Sequence, residues 1–223
     1  MAKLRVHNLS ISLDGYVAGP GQTIDDPLGA GGEQLHEWLF ATRSGQRVLG
    51  LDAGDADDVD VGDPIDEEFF VSGDRGIGAT VMGRNMFGPV RGSWPDHNWK
   101  GWWGDEPPYH HPVFVLTNHA RPPQTMEGGT TFHFVTGGIE AALEQAFAAA
   151  GGQDVRLGGG ASTVRQYLRA GLVDEMHVAV APVLLGGGER LFEDLGVLPE
   201  YGDIEFIPSS SVLHVRVSRS GAR

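Results

Sequence analysis

The chain contains no cysteine among its 223 residues, which excludes disulfides, thiolate metal centres and cysteine nucleophiles. Basic residues are scarce: 16 Lys and Arg stand against 30 Asp and Glu, a formal charge of -14. That balance argues against nucleic acid and anionic membrane surfaces as partners, since both reward clustered cations. A small anionic ligand needs only one or two placed cations and stays open. No apolar run approaches the roughly 18 residues of a membrane helix, and the opening "MAKLRVHNLS" lacks the apolar stretch of an export signal, so a cytoplasmic protein is expected. The sequence has no GxSxG elbow and no HExxH pair. His97, Asp105, His110 and His111 sit in a Trp- and Pro-rich segment without paired ligand spacing, so no metal is expected.

What is present reads as an α/β chain. "KLRVHNLSISLDGYVAG" alternates around Leu4, Val6, Leu9, Ile11 and Leu13 and predicts a strand ending at the Asp14-Gly15 turn. "GEQLHEWLFATRS" has helical spacing through Leu35, Trp38 and Leu39, and "IDEEFFVSGDRG" has room for another short helix. "ATVMG", "VFVLTN", "TTFHFV" and "DVRLG" predict strands, "IEAALEQAFAAAGG" and "ASTVRQYLRAG" helices, and "VDEMHVAVAPVLLG" a further strand. "DIEFIP" and "SSVLHVRVSR" predict a closing antiparallel pair. With no repeat and no linker, one domain over 1–223 with a mixed sheet is the economical reading.

Two segments stand apart. Asp52 to Glu68 carries nine carboxylates and no Lys or Arg. An EF-hand fails there, because counting from Asp55 the fifth position is Val59 and the sixth is Asp60 instead of glycine. A solvated acidic loop is expected. The stretch 93–112 carries four of the five tryptophans with many Gly and Pro, so no regular structure is expected in it.

The densest signal is "DVRLGGGASTVRQYL", where three glycines, Gly158 to Gly160, stand between a strand and a helix. A helix start offers unpaired N–H groups and a positive dipole end, and glycines let a phosphate reach the backbone. The P-loop pattern fails for want of Lys-Ser/Thr, and GxGxxG fails because Thr163 holds the last glycine's place. From spacing alone, a phosphate cradle and a plain tight turn are equally supported.

"SISLDGYVAG", "VMGRNMF", "VFVLTN", "VRLGGGASTVRQYLRAGLVDEMHV" and "APVLLGGGERLF" occur in an order that resembles the dihydrofolate reductase fold, and more closely the riboflavin-biosynthesis reductase (RibD C-terminal domain) family. The resemblance covers both ends and most of the middle; the segments around 52–68 and 93–112 look like insertions. It implies a three-layer sandwich with a mixed central sheet and helices on both faces, and a homodimer. It also implies NADPH, with its pyrophosphate between helix starts at Gly83-Arg84-Asn85 and at Gly158-Gly159-Gly160-Ala161-Ser162-Thr163. Arg84, Thr117 and Asn118 would face the adenosine 2′-phosphate, and Ser10, Val17 and Ala18 would flank the nicotinamide. A dianionic phosphate does want a guanidinium with hydroxyl or amide donors.

At the substrate end, hydride transfer to a C=N or C=O carbon needs a proton donor. The resemblance points to the helix after the first loop, where Glu37 is the nearest carboxylate, with Asp14 second. Trp94 and Trp102 are candidates to wall a flat pteridine- or ribosylaminopyrimidine-like substrate, or, with Trp99 and Trp103, to pack a subunit interface. A chain that keeps the cofactor cradle but binds without turnover is the alternative reading.

Overall fold

The apolar pattern of the first segment changes phase. Leu4 and Val6 alternate, as do Leu9 and Ile11, but the step between the two pairs is odd. The computed structural model, which describes residues 1–48, 50 and 62–219, shows the slip as a β-bulge. Strand β1 (Leu4–Ser12) runs parallel to β7 (Glu175–Ala181), and their register shifts between Val6 and Leu9. An extra residue sends every following side chain to the other face. Here that returns Leu9 and Ile11 to the core of Leu4 and Val6. It also places Asn8 at φ 54, a region Asn tolerates better than most side chains.

The other strands are β2 (Ile77–Gly83), β3 (Pro112–Leu116), β4 (Gln124–Thr125), β5 (Thr131–Val135), β6 (Asp154–Leu157), β8 (Tyr201–Pro208) and β9 (Leu213–Arg219). They form one sheet in the order β4-β5-β3-β2-β6-β1-β7-β9-β8. β1, β2, β3, β5, β6 and β7 all run parallel, so their carboxyl ends share one edge. β4 and the β8–β9 pair are antiparallel. β4 was not expected; two residues are too few to show a period.

Helices α5 (Gly138–Ala149) and α6 (Ala161–Arg169) cover one face, over Val81, Phe114, Val155 and Leu157. On the other, Leu35, Trp38 and Phe69 pack on Ala179 and Ala181, while Phe87 and Trp94 pack on Met82, Val113, Val115 and Phe132. The result is three layers. The helix expected through "GEQLHEWLFATRS" is instead a 3-10 turn (Gly32–His36), α1 (Glu37–Phe40) and α2 (Arg43–Val48). The break lies at Thr42, whose hydroxyl donates to the Leu39 carbonyl at 2.6 Å and accepts from Gly45 N–H at 2.9 Å. β7 also stops earlier than expected, at Ala181, because Pro182 has no N–H to continue a ladder.

Of the acidic stretch, residues 51–61 lie outside the described residues. Its end is no solvated loop, contrary to expectation. Asp63 caps helix α3 (Pro64–Asp74), accepting from Ile65 N–H at 2.9 Å, and Asp66 is fully buried. Asp66 Oδ1 lies 2.8 Å from His214 Nε2, His214 Nδ1 lies 3.0 Å from His177 Nε2, and Asn8 N–H donates to His177 Nδ1 at 3.2 Å. The bulge delivers that last N–H. It makes His177 Nδ1 an acceptor, so His177 donates from Nε2 to His214, and His214 donates to Asp66. The chain of bonds is complete only with His177 neutral.

Burial pushes His177 down to about 2 and His7 to about 3, and it lowers His36, His111, His133 and His214 too. These groups take up protons more readily in the unfolded chain than in the folded one. Stability therefore falls as pH drops below about 6.5. Between pH 6.5 and 5 most carboxylates are ionised in both states, so the loss there belongs to histidine. The urea midpoint should fall across that window, as the unfolding free energy drops by up to about 1.4 kcal/mol per pH unit for each buried histidine. An unchanged midpoint would contradict the neutral chain.

Candidate functional site

In an open parallel sheet, ligands settle outside the carboxyl ends of the strands, where successive connections diverge. β6 lies between β2 and β1, and the residues named from sequence follow the strand order along that edge. Thr117 and Asn118 leave β3, Gly83 ends β2, Gly158 to Gly160 leave β6, and Ser10 lies near the end of β1. With neighbouring strands about 4.8 Å apart, the row from β3 to β1 spans roughly 14 Å.

The middle of the row is glycine. Gly158 N–H donates to the Val81 carbonyl at 2.8 Å, and Gly83 N–H donates to the Gly159 carbonyl at 2.7 Å. A Cβ on Gly83 would lie 2.3 Å from Thr163 Oγ1, so only glycine lets the two strand-to-helix connections meet. Outward the turn is bare. A Cβ on Gly160 would meet no protein atom within 4 Å, and α6 starts there without a side-chain cap. Free N–H groups, a positive dipole end and no side chain in front suit a phosphate.

Arg84 opens the four-residue helix α4 (Arg84–Phe87). Its guanidinium carbon lies 3.8 Å from the centre of the Trp94 ring, and Nη1 donates to the Gly92 carbonyl. Nε and Nη2 are buried without a partner. Among the described residues no carboxylate lies within 4.0 Å of this guanidinium, in a chain of formal charge -14. Burial, with Arg91 adding repulsion, lowers its pKa. An arriving anion would relieve both. Thr117 is buried, with its hydroxyl accepting from His119 N–H at 3.1 Å, and Asn118 is exposed beside it.

A second guanidinium, not expected from sequence, stands behind the first. Arg121 is 6% exposed and lies 5.0 Å from the Trp94 ring centre, with Phe87 and Phe134 at 5.4 and 4.9 Å. Its Nη2 donates to the carbonyls of His97 and Trp99 and to Gln124 Oε1, while Nη1 is buried without a partner. Only its distant contacts mark it, so no local signal in the sequence could have found it.

The tryptophans lie at the Arg84 end of the row. Trp94 does not wall a substrate: it is 9% exposed, lies under Arg84, and donates its indole N–H to the His119 carbonyl at 2.7 Å. Trp102 and Trp103 both donate to the Met86 carbonyl at 2.7 Å, and Trp102 N–H donates to the Phe87 carbonyl at 3.2 Å. These are the last carbonyls of α4, a helix too short to persist by itself. Trp94 and Trp102 thus serve Arg84's helix, across β6 from Ser10.

At the β1 end, Ser10 is buried and its Oγ accepts from the Trp38 indole N–H at 2.9 Å. Val17 N–H donates to the Glu189 carbonyl at 2.9 Å, and Glu189 N–H donates to the Ala18 carbonyl at 3.0 Å. Asp14 braces these loops, accepting from Ser12 Oγ at 2.6 Å, Leu185 N–H at 3.1 Å and Gly186 N–H at 2.7 Å. The Ser12 hydroxyl, helped by those amides, holds its carboxyl at about 2. It stays ionised at neutral pH and has no proton to deliver. Glu37 also departs from expectation. Helix α1 turns Trp38 into the core, and neighbouring positions lie about 100° apart on a helix, so Glu37 is exposed.

A cavity of about 860 Å³ opens elsewhere, at the amino-terminal ends of β1 and β7, lined by Arg5, His7, Arg75, Glu175, His177 and Arg216 among others. Its arginines are paired with Glu175, Glu68 and Glu205, unlike Arg84. Among the described residues no helix is long and apolar enough to cross a membrane.

Known proteins agree with this placement of elements. The uncharacterized protein YyaP of Bacillus subtilis (strain 168) is 46% identical over 44 residues, a stretch spanning 20% of this chain and 23% of that protein. A solved structure from Shewanella sp. PV-4, provisionally assigned to riboflavin biosynthesis, is 25% identical, with 99% of each chain covered and a TM-score of 0.54. RibD of Acinetobacter baumannii is 17% identical with a TM-score of 0.51; the alignment covers 99% of this chain and 58% of RibD. The model of the RibD C-terminal domain matches residues 5–215. With its mixed sheet between two helical layers, the chain has a dihydrofolate reductase-like fold and belongs to the RibD C-terminal domain family.

Proposed function

We propose that the protein is a cytoplasmic NADPH-dependent reductase acting on a small pteridine- or ribosylaminopyrimidine-like heterocycle. The observation that carries this is Arg84, whose Nε and Nη2 are buried without a partner, at one end of a row whose middle is a bare helix start. In this reading Arg84, Thr117 and Asn118 hold the adenosine 2′-phosphate. Gly83, Arg84, Asn85 and Gly158 to Thr163 hold the pyrophosphate, and Ser10, Val17 and Ala18 hold the nicotinamide. The orphaned N–H groups and the uncovered Gly160 fit a chain of phosphates.

Bound there, NADPH supplies a hydride to an electrophilic carbon of the substrate. The protein's own residues bind, orient and keep the site dry. The Trp38–Ser10 bond fixes the wall behind the nicotinamide, and the Asp14 brace fixes the loops over it. With Asp14 held ionised and Glu37 exposed, water is the proton source we assign. The same observation favours the alternative, a cofactor-binding protein without turnover. NADPH oxidation on a panel of dihydropteridines and ribosylaminopyrimidines separates the two. A homodimer is part of the proposal. Ile204 and Phe206 are 52% and 66% exposed on the outermost strand β8, and an apolar sheet edge calls for a cover.

Two outcomes follow for the cofactor. NADH lacks the 2′-phosphate, and hydrogen bonds to charged groups contribute about 1.5–3 kcal/mol. Arg84→Ala should therefore weaken NADPH about 10- to 150-fold and leave NADH nearly unchanged. Calorimetric titration of both cofactors decides it, and equal losses would make Arg84 structural. Gly159 has φ +114, so a side chain there strains the fold with or without a ligand. Gly160 is the cleaner probe. Gly160→Ala should fold normally yet bind NADPH and NADH at least about tenfold more weakly, because its methyl enters the phosphate's space. Wild-type affinity for both would show the glycines to be a turn only.

A further inference from the structure

Gly92 and the 93–112 segment that follows it hold Arg84 from three sides. The Gly92 carbonyl takes one N–H, the Trp94 ring centre lies 3.8 Å from the guanidinium carbon, and Trp102 and Trp103 bond the carbonyl end of Arg84's helix. Arg121 lies beyond Trp94, 5.0 Å from the same ring, and pins the segment through the His97 and Trp99 carbonyls. An arginine side chain is flexible and loses much rotamer freedom when it grips a ligand. Here that freedom is already lost before any ligand arrives, and the two nitrogens left without partners belong to the side chain so held. Arg121 feels the Asp96 carboxylate as well as the repulsion of Arg84, whereas the charge that acts on Arg84 is the repulsion of Arg91.

We propose that Trp94 is a specificity-determining positioning residue: stacked on Arg84 and steadied by Arg121, it presets a guanidinium fork for a phosphate monoester dianion without touching the ligand. The Trp-rich segment is then a clamp for phosphate selection. This rests on the reading of Arg84 given above, and the experiment keeps the two apart.

The probes are adenosine 2′,5′-bisphosphate and adenosine 5′-monophosphate, titrated by calorimetry into the full chain and variants, with thermal melting to confirm folding. The wild type should prefer the bisphosphate, and Arg84→Ala should lose about 10- to 150-fold of that preference. Trp94→Leu keeps Arg84 but removes its platform. It should lose about 2- to 30-fold, the worth of a cation–π contact, with monophosphate binding unchanged. Trp94→Phe keeps an aromatic face and should lose less than the leucine variant. Arg84→Lys keeps the charge without the planar fork, so it should lose nearly as much as Arg84→Ala. That arm stands even if Trp94→Leu does not fold.

Full preference in a folded Trp94→Leu, or in Arg84→Lys, beside a loss in Arg84→Ala would overturn the clamp and leave the cofactor reading intact. No preference in the wild type, or none lost in Arg84→Ala, would remove the cofactor reading and the clamp with it.

Discussion

The whole site depends on β2 and β6 lying side by side and running the same way. That pairing brings two strand-to-helix connections to one point, where Gly83 and Thr163 stand so close that no side chain fits at position 83. Around that contact, everything else is ordered by the sheet. β3 and Arg84's helix lie to one side, β1 with Ser10 to the other, in the sequence β3-β2-β6-β1. A row of ligand-binding groups needs no special device once six parallel strands end at a common edge.

Charge is distributed with the same logic. The chain is strongly acidic, and most of its partly buried arginines find carboxylates, as Arg5 does with Asp154 and Glu175. Arg84 and Arg121 do not. Keeping two guanidiniums near one another without an ion-paired carboxylate raises the energy of the ligand-free protein, and aromatic faces offset only part of that. The remainder is available to an anion. The buried His177–His214–Asp66 chain takes another solution: each member is bonded to the next within the fold, and its consequence is acid sensitivity rather than binding.

How much of this was legible depended on whether the constraint was local. The glycine run, the Gly-Arg after β2 and the Asp14-Gly15 turn carry their reasons in neighbouring residues, and they stand where the sequence put them. The phase slip between Val6 and Leu9 was also local, but it could be recognised as a bulge only against β7. Trp38, Arg121 and Asp66 had no local mark, because what distinguishes them is a partner between 22 and 148 residues away. The tryptophans of 93–112 were left open between two uses for another reason. An indole offers an apolar face and one N–H, which serve a substrate wall, an interface or a helix cap equally well. Only the Met86 and His119 carbonyls tell which use is made of them. Glu37 stands exposed because the first turn of α1 presents Trp38 to the core instead.

The central claim is that NADPH lies across the strand ends from β3 to β1, and amide hydrogen exchange of the protein with and without saturating NADPH tests it most directly. The account predicts slowed exchange at Arg84, Asn85 and Gly158 to Thr163, with Arg5, His7, Glu175 and Arg216 unchanged around the ion-paired cavity. Slowing confined to that cavity, or none at Gly158 to Thr163 with the cofactor bound, would contradict it.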